Sequence, residues 1–130
     1  MAQRKLLVPP GTEMMRDQYH FSQGVQVGDT VYVSGQGGWD AGFKLAATVA
    51  EQARQAFRNM ERVLKAAGAS LDDVVDVTSF HLDMDQMDAV VGVLKEVFPH
   101  HQPAWTAVGV TRLAMPAMLI EIKATAVKNS

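Results

Sequence analysis

The stretch Gln23-Gly24-Val25-Gln26-Val27-Gly28-Asp29-Thr30-Val31-Tyr32-Val33-Ser34 decides the fold of this chain. Valines recur at every second position on both sides of Gly28-Asp29, and this period of two is typical of strands. Gly28-Asp29 fits a tight turn, because glycine readily adopts the left-handed backbone that such turns require. We therefore predict a β-hairpin with strands over residues 23–27 and 30–34. A glycine-rich loop is expected to follow over residues 35–42.

The period becomes helical after Thr48. Apolar side chains then fall on one stripe, opposite a polar side that includes Gln52 and Asn59. Thr48 and Glu51 match a capping box, and Gly68 fits the left-handed residue that follows a last helical turn. The stripe predicted to be buried consists of Val49, Ala53, Ala56, Phe57, Met60, Val63, Leu64 and Ala67.

Three further strands and a second helix complete the predicted order. Strands are expected over residues 74–82, 104–110 and 118–127. A second amphipathic helix lies between the first two, with Asp85 as its cap and Pro99 at its end. The sequence therefore predicts an α+β fold of order ββαβαββ, in which a mixed sheet carries two helices on one face. Because no further element is left to cover the other face, we expect a partner subunit to cover it.

Composition excludes several classes of protein. The chain has 130 residues, of which 48% are hydrophobic and 20% charged, and this favours one compact domain over residues 1–130. The net charge of -2 and the lack of a long basic run argue against a nucleic-acid partner. Pro9-Pro10 interrupts the apolar N-terminal stretch, and no apolar run reaches the roughly 18 residues that cross a bilayer. We therefore expect a cytoplasmic protein without a membrane partner.

The sequence also gives no sign of a metal or a cofactor. Cysteine is absent, which removes disulfides, thiol chemistry and metal sites built on thiolates. The four histidines lack the close spacing of a metal-binding helix. Gly35-Gln36-Gly37-Gly38 does not lead directly into a helix, as a nucleotide-binding loop would. We expect no metal and no cofactor.

Three separated segments carry a resemblance to a known family. They are Val31-Tyr32-Val33-Ser34-Gly35-Gln36, Gln102-Pro103-Ala104-Trp105-Thr106 and Leu119-Ile120-Glu121-Ile122. In this order and spacing the chain resembles the RidA/YjgF family over residues 18–128. The resemblance implies a chorismate-mutase-like fold and a homotrimer with a small-molecule cleft at each subunit interface. Members of the family commonly deaminate reactive enamines and imines, and some carry an endoribonuclease label.

The resemblance implies which residues form the cleft. Glu121 matches the glutamate that holds the hydrolytic water, and is the candidate catalytic residue. Ser34 and Gly35 are candidates for presenting hydroxyl and N–H groups to a bound oxygen. Thr106 and Ala107 are further candidate contacts to the ligand.

At three positions the chain departs from the family's pattern. Deaminating members hold a substrate carboxylate with an arginine after the Pro-Ala pair, where this chain has Trp105. The family's tyrosine is Phe21 here, and its asparagine in the second helix is Val91. Loss of a charged partner for a carboxylate costs about 2 to 5 kcal/mol of binding free energy, because an indole offers only one neutral N–H. We therefore expect a more apolar ligand than a small 2-imino acid.

Three functions remain open on this basis. One is hydrolysis of an enamine, imine or related reactive metabolite, and another is a catalytically silent trimer that binds a hydrophobic metabolite. RNA cleavage is a third, which the acidic balance of the chain disfavours. From the residues alone, Trp105 is equally well explained as a packing residue. The residues alone favour Glu121 as a solvent-facing carboxylate on a strand.

Overall fold

A computed structural model describes residues 3–129 and arranges the strands in one six-stranded sheet. The strands are β1 (Arg4–Leu7), β2 (Gly24–Val27), β3 (Thr30–Gly37), β4 (Val74–His81), β5 (Ala104–Gly109) and β6 (Ile120–Val127). The helices are α1 (Glu13–Tyr19), α2 (Val49–Ala66) and α3 (Met87–Val97). Across the sheet the order is β1-β2-β3-β6-β4-β5. β4 and β5 run parallel while the other pairs are antiparallel, so the mixed α+β fold is confirmed.

The hairpin forms where the valine pattern places it. Val27 pairs with Thr30, and Gly28 adopts a positive φ of 60° in the turn between them. β3 then continues to Gly37, so the prediction that a loop begins at Gly35 is wrong. The register against β6 shifts between Val33 and Gln36. The glycines therefore bend and extend the strand through a β-bulge instead of ending it.

The core lies between the sheet and α2 with α3. All eight residues of the apolar stripe on α2 are buried, which confirms that prediction. On β6, alternation buries Ile120 and Ile122 against the helices and turns Glu121 to the opposite face. Gln52 and Asn59 are buried too, although the sequence places them on the polar side of α2.

Both ends of α2 are capped, and at the N-terminus the hydroxyl half of the predicted Thr48–Glu51 capping box forms. The Thr48 hydroxyl accepts a hydrogen bond from the N–H of Glu51 at 3.2 Å. Gly68 has a positive φ of 73°, and the N–H of Ala69 donates to the carbonyl of Leu64 at 2.9 Å. These contacts satisfy helix-end groups that would otherwise lack partners.

The start of α3 differs from the prediction. A 3-10 turn, Met84–Gln86, precedes the helix, and the carboxylate of Asp83 accepts from the N–H of Asp85 at 2.9 Å. The capping carboxylate is therefore Asp83 and not Asp85, because the extra turn moves the first free N–H groups toward the N-terminus. The helix ends at Val97, before Pro99, as predicted.

A bulge in β4 determines which side chains enter the core. Strict alternation would place Val75 on the same face as Val77. The register against β6 shifts between Val74 and Asp76, so Val74 and Val77 are both buried while Val75 is 47% exposed. After the bulge, Ser79 and His81 share the buried face with Val77.

Two elements were not predicted from the sequence. β1 pairs with β2 over four residues, and α1 is a seven-residue helix with no buried residue. Neither shows an apolar period long enough to reveal it. Within residues 3–129, no helix has the length and apolar character needed to cross a membrane.

The sheet face opposite α2 and α3 retains exposed apolar side chains. Leu6, Tyr32 and Val127 are 55%, 52% and 44% exposed. Leu6 pairs with Val25, and Val25 pairs with Tyr32. The side chains of Leu6, Val25 and Tyr32 therefore form a row across β1, β2 and β3. We call the face that carries this row the open face.

Candidate functional site

Glu121 extends from β6 on the open face. Its backbone pairs with Gly37 of β3 and with Phe80 of β4, which places it near the middle of the sheet. Burial raises the pKa of the Glu121 carboxyl above its ordinary value of 4.5. Burial is the sole cause of this shift among the described residues, with no neighbouring charge or hydrogen bond contributing. Glu121 is therefore a partly desolvated carboxylate without a counter-ion among residues 3–129.

Gly35 provides the room that this carboxylate occupies. A Cβ built on Gly35 would lie 2.9 Å from Cδ and 3.0 Å from Oε2 of Glu121. Real side chains avoid such distances, so any larger residue at position 35 would push the carboxylate aside. The bulge of β3 brings the two residues together, because it shifts the glycine segment relative to β6.

A cavity of about 400 Å³ opens beside Glu121 and Gly35. Phe21 forms part of its wall, so the structure brings together three of the residues expected in the cleft. The other walls are aromatic, thioether or uncharged side chains that were not predicted from the sequence. They are Met14, Met15, Tyr19, Gln23, Trp39, Phe43, Ala114 and Met115.

Ser34, although expected in the cleft, is not among the residues that line this cavity. Its hydroxyl donates to the carbonyl of Ser22 at 2.7 Å, and its N–H donates to the carbonyl of Gln23 at 2.8 Å. The amide of Gln36 donates to Oε1 of Gln23 at 2.8 Å. The hydroxyl and the N–H of Ser34 are thus both engaged within the chain, where they position the segment that carries Phe21.

Two buried amides on α2 hold the walls in place. Asn59 donates to the carbonyls of Gly37 at 3.0 Å and Trp39 at 2.9 Å. Gln52 donates to the carbonyl of Ala117 at 3.0 Å and accepts from the N–H of Leu119 at 2.8 Å. These bonds fix the loop that carries Trp39 and the segment that leads into β6 and Glu121. Periodicity alone could not identify them, because their partners lie far away in the sequence.

Trp105 belongs to a different part of the molecule. Its backbone pairs with Val77 of β4, and its indole packs against the core beside α3. Nε1 donates to Oγ of Ser79 at 2.8 Å, and Oγ of Ser79 lies 2.6 Å from Nε2 of His81. Ser79 and His81 are each 1% exposed, and burial lowers the pKa of His81.

Val91 lies beside Trp105 in a second, smaller cavity. This cavity has a volume of about 280 Å³ and lies between α3 and β5, with Phe98 and His101 among its walls. Thr106 and Ala107 follow Trp105 on β5, which is an edge strand. Within one chain, these four candidates therefore lie apart from the cavity of Glu121, Gly35 and Phe21. Among residues 3–129, no three His, Asp or Glu side chains cluster in a way that could hold a metal ion.

Comparison with known proteins supplies the family. The model of the endoribonuclease L-PSP family matches residues 13–128. The crystal structure of Rv2704 from Mycobacterium tuberculosis, a member of the YjgF/YER057c/UK114 family, superposes with a TM-score of 0.84 at 32% identity, covering 96% of this chain and 99% of that one. This chain belongs to the RidA/YjgF family. The resemblance found in the sequence is thereby confirmed.

Two relatives of this RidA/YjgF protein show how its family members are described. RutC family protein YjgH of Escherichia coli is 38% identical over 117 residues, which cover 88% of each chain. The human 2-iminobutanoate/2-iminopropanoate deaminase is 38% identical over 111 residues, which cover 84% of this chain and 80% of the enzyme. The RidA/YjgF family thus includes proteins named as imine deaminases.

Proposed function

We propose that this RidA/YjgF protein hydrolyses an enamine, an imine or a related reactive metabolite other than a small 2-imino acid. One observation carries the proposal: the partly desolvated carboxylate of Glu121 borders a cavity of about 400 Å³ whose other walls are largely apolar. Relatives named as imine deaminases support the reaction type.

In this reaction Glu121 acts as general base and then as general acid. Its carboxylate takes a proton from water as the oxygen attacks the carbon of the C=N bond, and the carboxyl returns that proton to nitrogen, which forms a carbinolamine. The carboxylate then takes the proton of the carbinolamine hydroxyl and passes it to nitrogen as the C–N bond breaks, so that a carbonyl compound and an amine or ammonia leave. Burial raises the pKa of Glu121 and so makes the carboxylate a stronger base.

The substrate is proposed to lack the carboxylate of a 2-imino acid. The resemblance implies an arginine where this chain has Trp105, whose indole N–H already donates to Ser79. A missing charged partner lowers affinity by roughly 30- to 5000-fold, which corresponds to about 2 to 5 kcal/mol. Small 2-imino acids should therefore be poor substrates.

We further propose that the protein works as a homotrimer. The open face exposes Leu6, Tyr32 and Val127, and a second copy of the chain would cover them. The expected cleft residues also fall into two separate groups in one chain. A neighbouring copy would place its Val91 and Trp105 group beside the Glu121 cavity and complete the cleft.

A second candidate function is binding of a hydrophobic metabolite without catalysis. The aromatic and thioether walls around Glu121 favour it, and so does the engagement of the hydroxyl and the N–H of Ser34 within the chain. RNA cleavage is the weaker candidate, because the chain carries a net charge of -2.

An imine-trapping assay on purified protein tests the proposal. We expect wild-type protein to hydrolyse a carboxylate-free imine, and Glu121→Gln to lose about 100-fold or more of kcat, the usual contribution of a general base. Glu51→Gln is the matched control, since Glu51 is an exposed glutamate on α2. Trp105→Arg should not improve turnover of the carboxylate-free imine. Equal rates for the wild type and Glu121→Gln would favour the binding function.

A further inference from the structure

The cavity beside Glu121 has an unusual charge balance for a protein whose relatives are named for anionic substrates. Among the described residues that line it, Glu121 is the only Asp, Glu, Lys, Arg or His. The others are aromatic rings, methionines, Ala114, Gly35 and the uncharged amide of Gln23. An anionic group placed here would face a carboxylate and would find no cation among these walls.

The aromatic walls favour a cation. The cavity is bordered by the rings of Tyr19, Phe21, Trp39 and Phe43. Trp39 and Phe43 lie with their centroids 6.5 Å apart and their planes tilted by 46°, so they form a corner instead of a flat stack. The face of an aromatic ring carries partial negative charge and attracts cations within about 6 Å. Quaternary ammonium groups are recognised in cages of this kind.

The carboxylate of Glu121 supplies the remaining element of a cation site. It has lost part of its hydration and gains no counter-ion from the described residues. A desolvated charge is unfavourable until an opposite charge compensates it. Gly35 leaves room for this carboxylate at the border of the cavity, since a Cβ at position 35 would lie 2.9 Å from Cδ of Glu121.

We propose that this cavity binds its ligand as a cation, an iminium or substituted ammonium group on an apolar or aromatic body, with Glu121 as counter-ion and the aromatic rings around it. The inference rests on the proposed function, since an iminium ion is the electrophilic form of an imine. Water adds to its carbon, the C–N bond breaks, and a carbonyl compound and an ammonium ion leave. The substrate class is thus a hydrophobic iminium ion without a carboxylate.

Binding of inert ligands tests the charge preference separately from catalysis. Three probes of similar size differ in charge: benzyltrimethylammonium is a permanent cation, neopentylbenzene is its neutral carbon isostere, and phenylacetate is an anion. None of them contains a C=N bond. We expect titration calorimetry on wild-type protein to show the cation binding about tenfold or more tighter than the other two. Equal affinity for the cation and its neutral isostere, or tighter binding of phenylacetate, would overturn the proposal.

Variants locate the preference at this cavity. Glu121→Gln should weaken binding of benzyltrimethylammonium about tenfold or more while changing the affinity for neopentylbenzene little, since only the charge is lost. Trp39→Leu should weaken the cation more than the neutral probe, and Glu51→Gln should alter neither. Cation affinity that is unchanged in Glu121→Gln would refute the assignment. A thermal melt of each variant shows that it is folded.

The two proposals fail in different ways. A cation preference without imine hydrolysis in any variant would leave the cation site standing and refute the catalytic function. Imine hydrolysis that depends on Glu121, together with no preference for the cationic probe, would uphold the function and refute the cation site.

Discussion

The indole N–H of Trp105 is used in a hydrogen bond within its own chain. Its N–H donates to Ser79, and the Ser79 hydroxyl lies within hydrogen-bond distance of Nε2 of His81. Burial lowers the pKa of His81, so its imidazole is neutral near pH 7 and can accept from that hydroxyl. The indole of Trp105 therefore has no free donor for a ligand, and it offers only the apolar surface of its ring.

Replacement of Gly35 should move the carboxylate of Glu121 while leaving the stability of the fold nearly unchanged. In Gly35→Ala, the new Cβ would lie 2.9 Å from Cδ of Glu121, and the flexible carboxylate can move away. We expect kcat/KM for the imine to fall by about 100-fold, as a catalytic group displaced by about 1 Å does. The unfolding midpoint should change little. Gly92→Ala is the control, because no atom lies within 4 Å of its Cβ, and activity there should be unchanged.

The ionisation of Glu121 predicts how stability depends on pH. Its folded pKa is raised above 4.5, so above pH 4.5 the folded state binds more protons than the unfolded state. The stabilisation is therefore complete below pH 4.5 and is lost as pH rises through the folded pKa. Glu121→Gln removes this dependence. In urea unfolding at pH 4, 6 and 8, we expect the variant to gain stability relative to wild type as pH rises, and the opposite trend would contradict the assignment.

At the scale of elements, α2 serves the site as well as the core. Its apolar stripe packs on the sheet, while the amides of Gln52 and Asn59 hold backbone groups of the segments around the cavity. A buried carbonyl without a partner costs about 1 to 3 kcal/mol. These two amides therefore determine both the stability of the loop over residues 38–46 and the position of Trp39.

Asn59→Ala tests this role of α2. The change leaves the carbonyls of Gly37 and Trp39 without their donor, and we expect a loss of about 2 kcal/mol in the free energy of unfolding. Hydrogen exchange should accelerate most in residues 38–46. Gln55→Ala is the comparison, because Gln55 lies on the same helix and contacts Asn59 but no backbone carbonyl of the loop. Uniform acceleration over the whole chain would contradict a local role.

The periodic recurrence of apolar residues predicted those helices and strands that bury one regular row of side chains. The hairpin around Gly28 and the helix that begins after Thr48 follow from periods of two and 3.6 within short windows. α1 was not predicted, because it buries no residue and so shows no apolar stripe. The extension of β3 through Gly35 depends on pairing with β6, which lies some 85 positions later. Bulges and long-range pairing are set by tertiary contacts that a single window of sequence does not contain.

The structure brings together only some of the residues that the sequence indicated for the site. Alternation along β6 turns Glu121 away from the core, and pairing of β3 with β6 brings it to Gly35, so those two residues meet as the resemblance implies. Trp105 and Val91 lie beside α3 instead. Short windows of sequence do not show that these candidates lie in different parts of one chain, because their separation follows from the position of β5 in the sheet.

A charge on the open face tests whether the Val91 and Trp105 group of one chain lies beside the Glu121 cavity of its neighbour. Tyr32 is 52% exposed, so Tyr32→Asp should leave the isolated fold intact. In an assembly, the new carboxylate would be buried without a partner, which costs several kcal/mol per ion. Light scattering should therefore report about three times the chain mass of 14.2 kDa for wild type, and a single chain for the variant. Imine hydrolysis should fall with the trimer, because the Val91 and Trp105 group would leave the Glu121 cavity.

Arg58→Asp places the same charge on the outer side of α2 and should preserve both mass and activity. A wild-type mass of one chain would contradict the shared cleft.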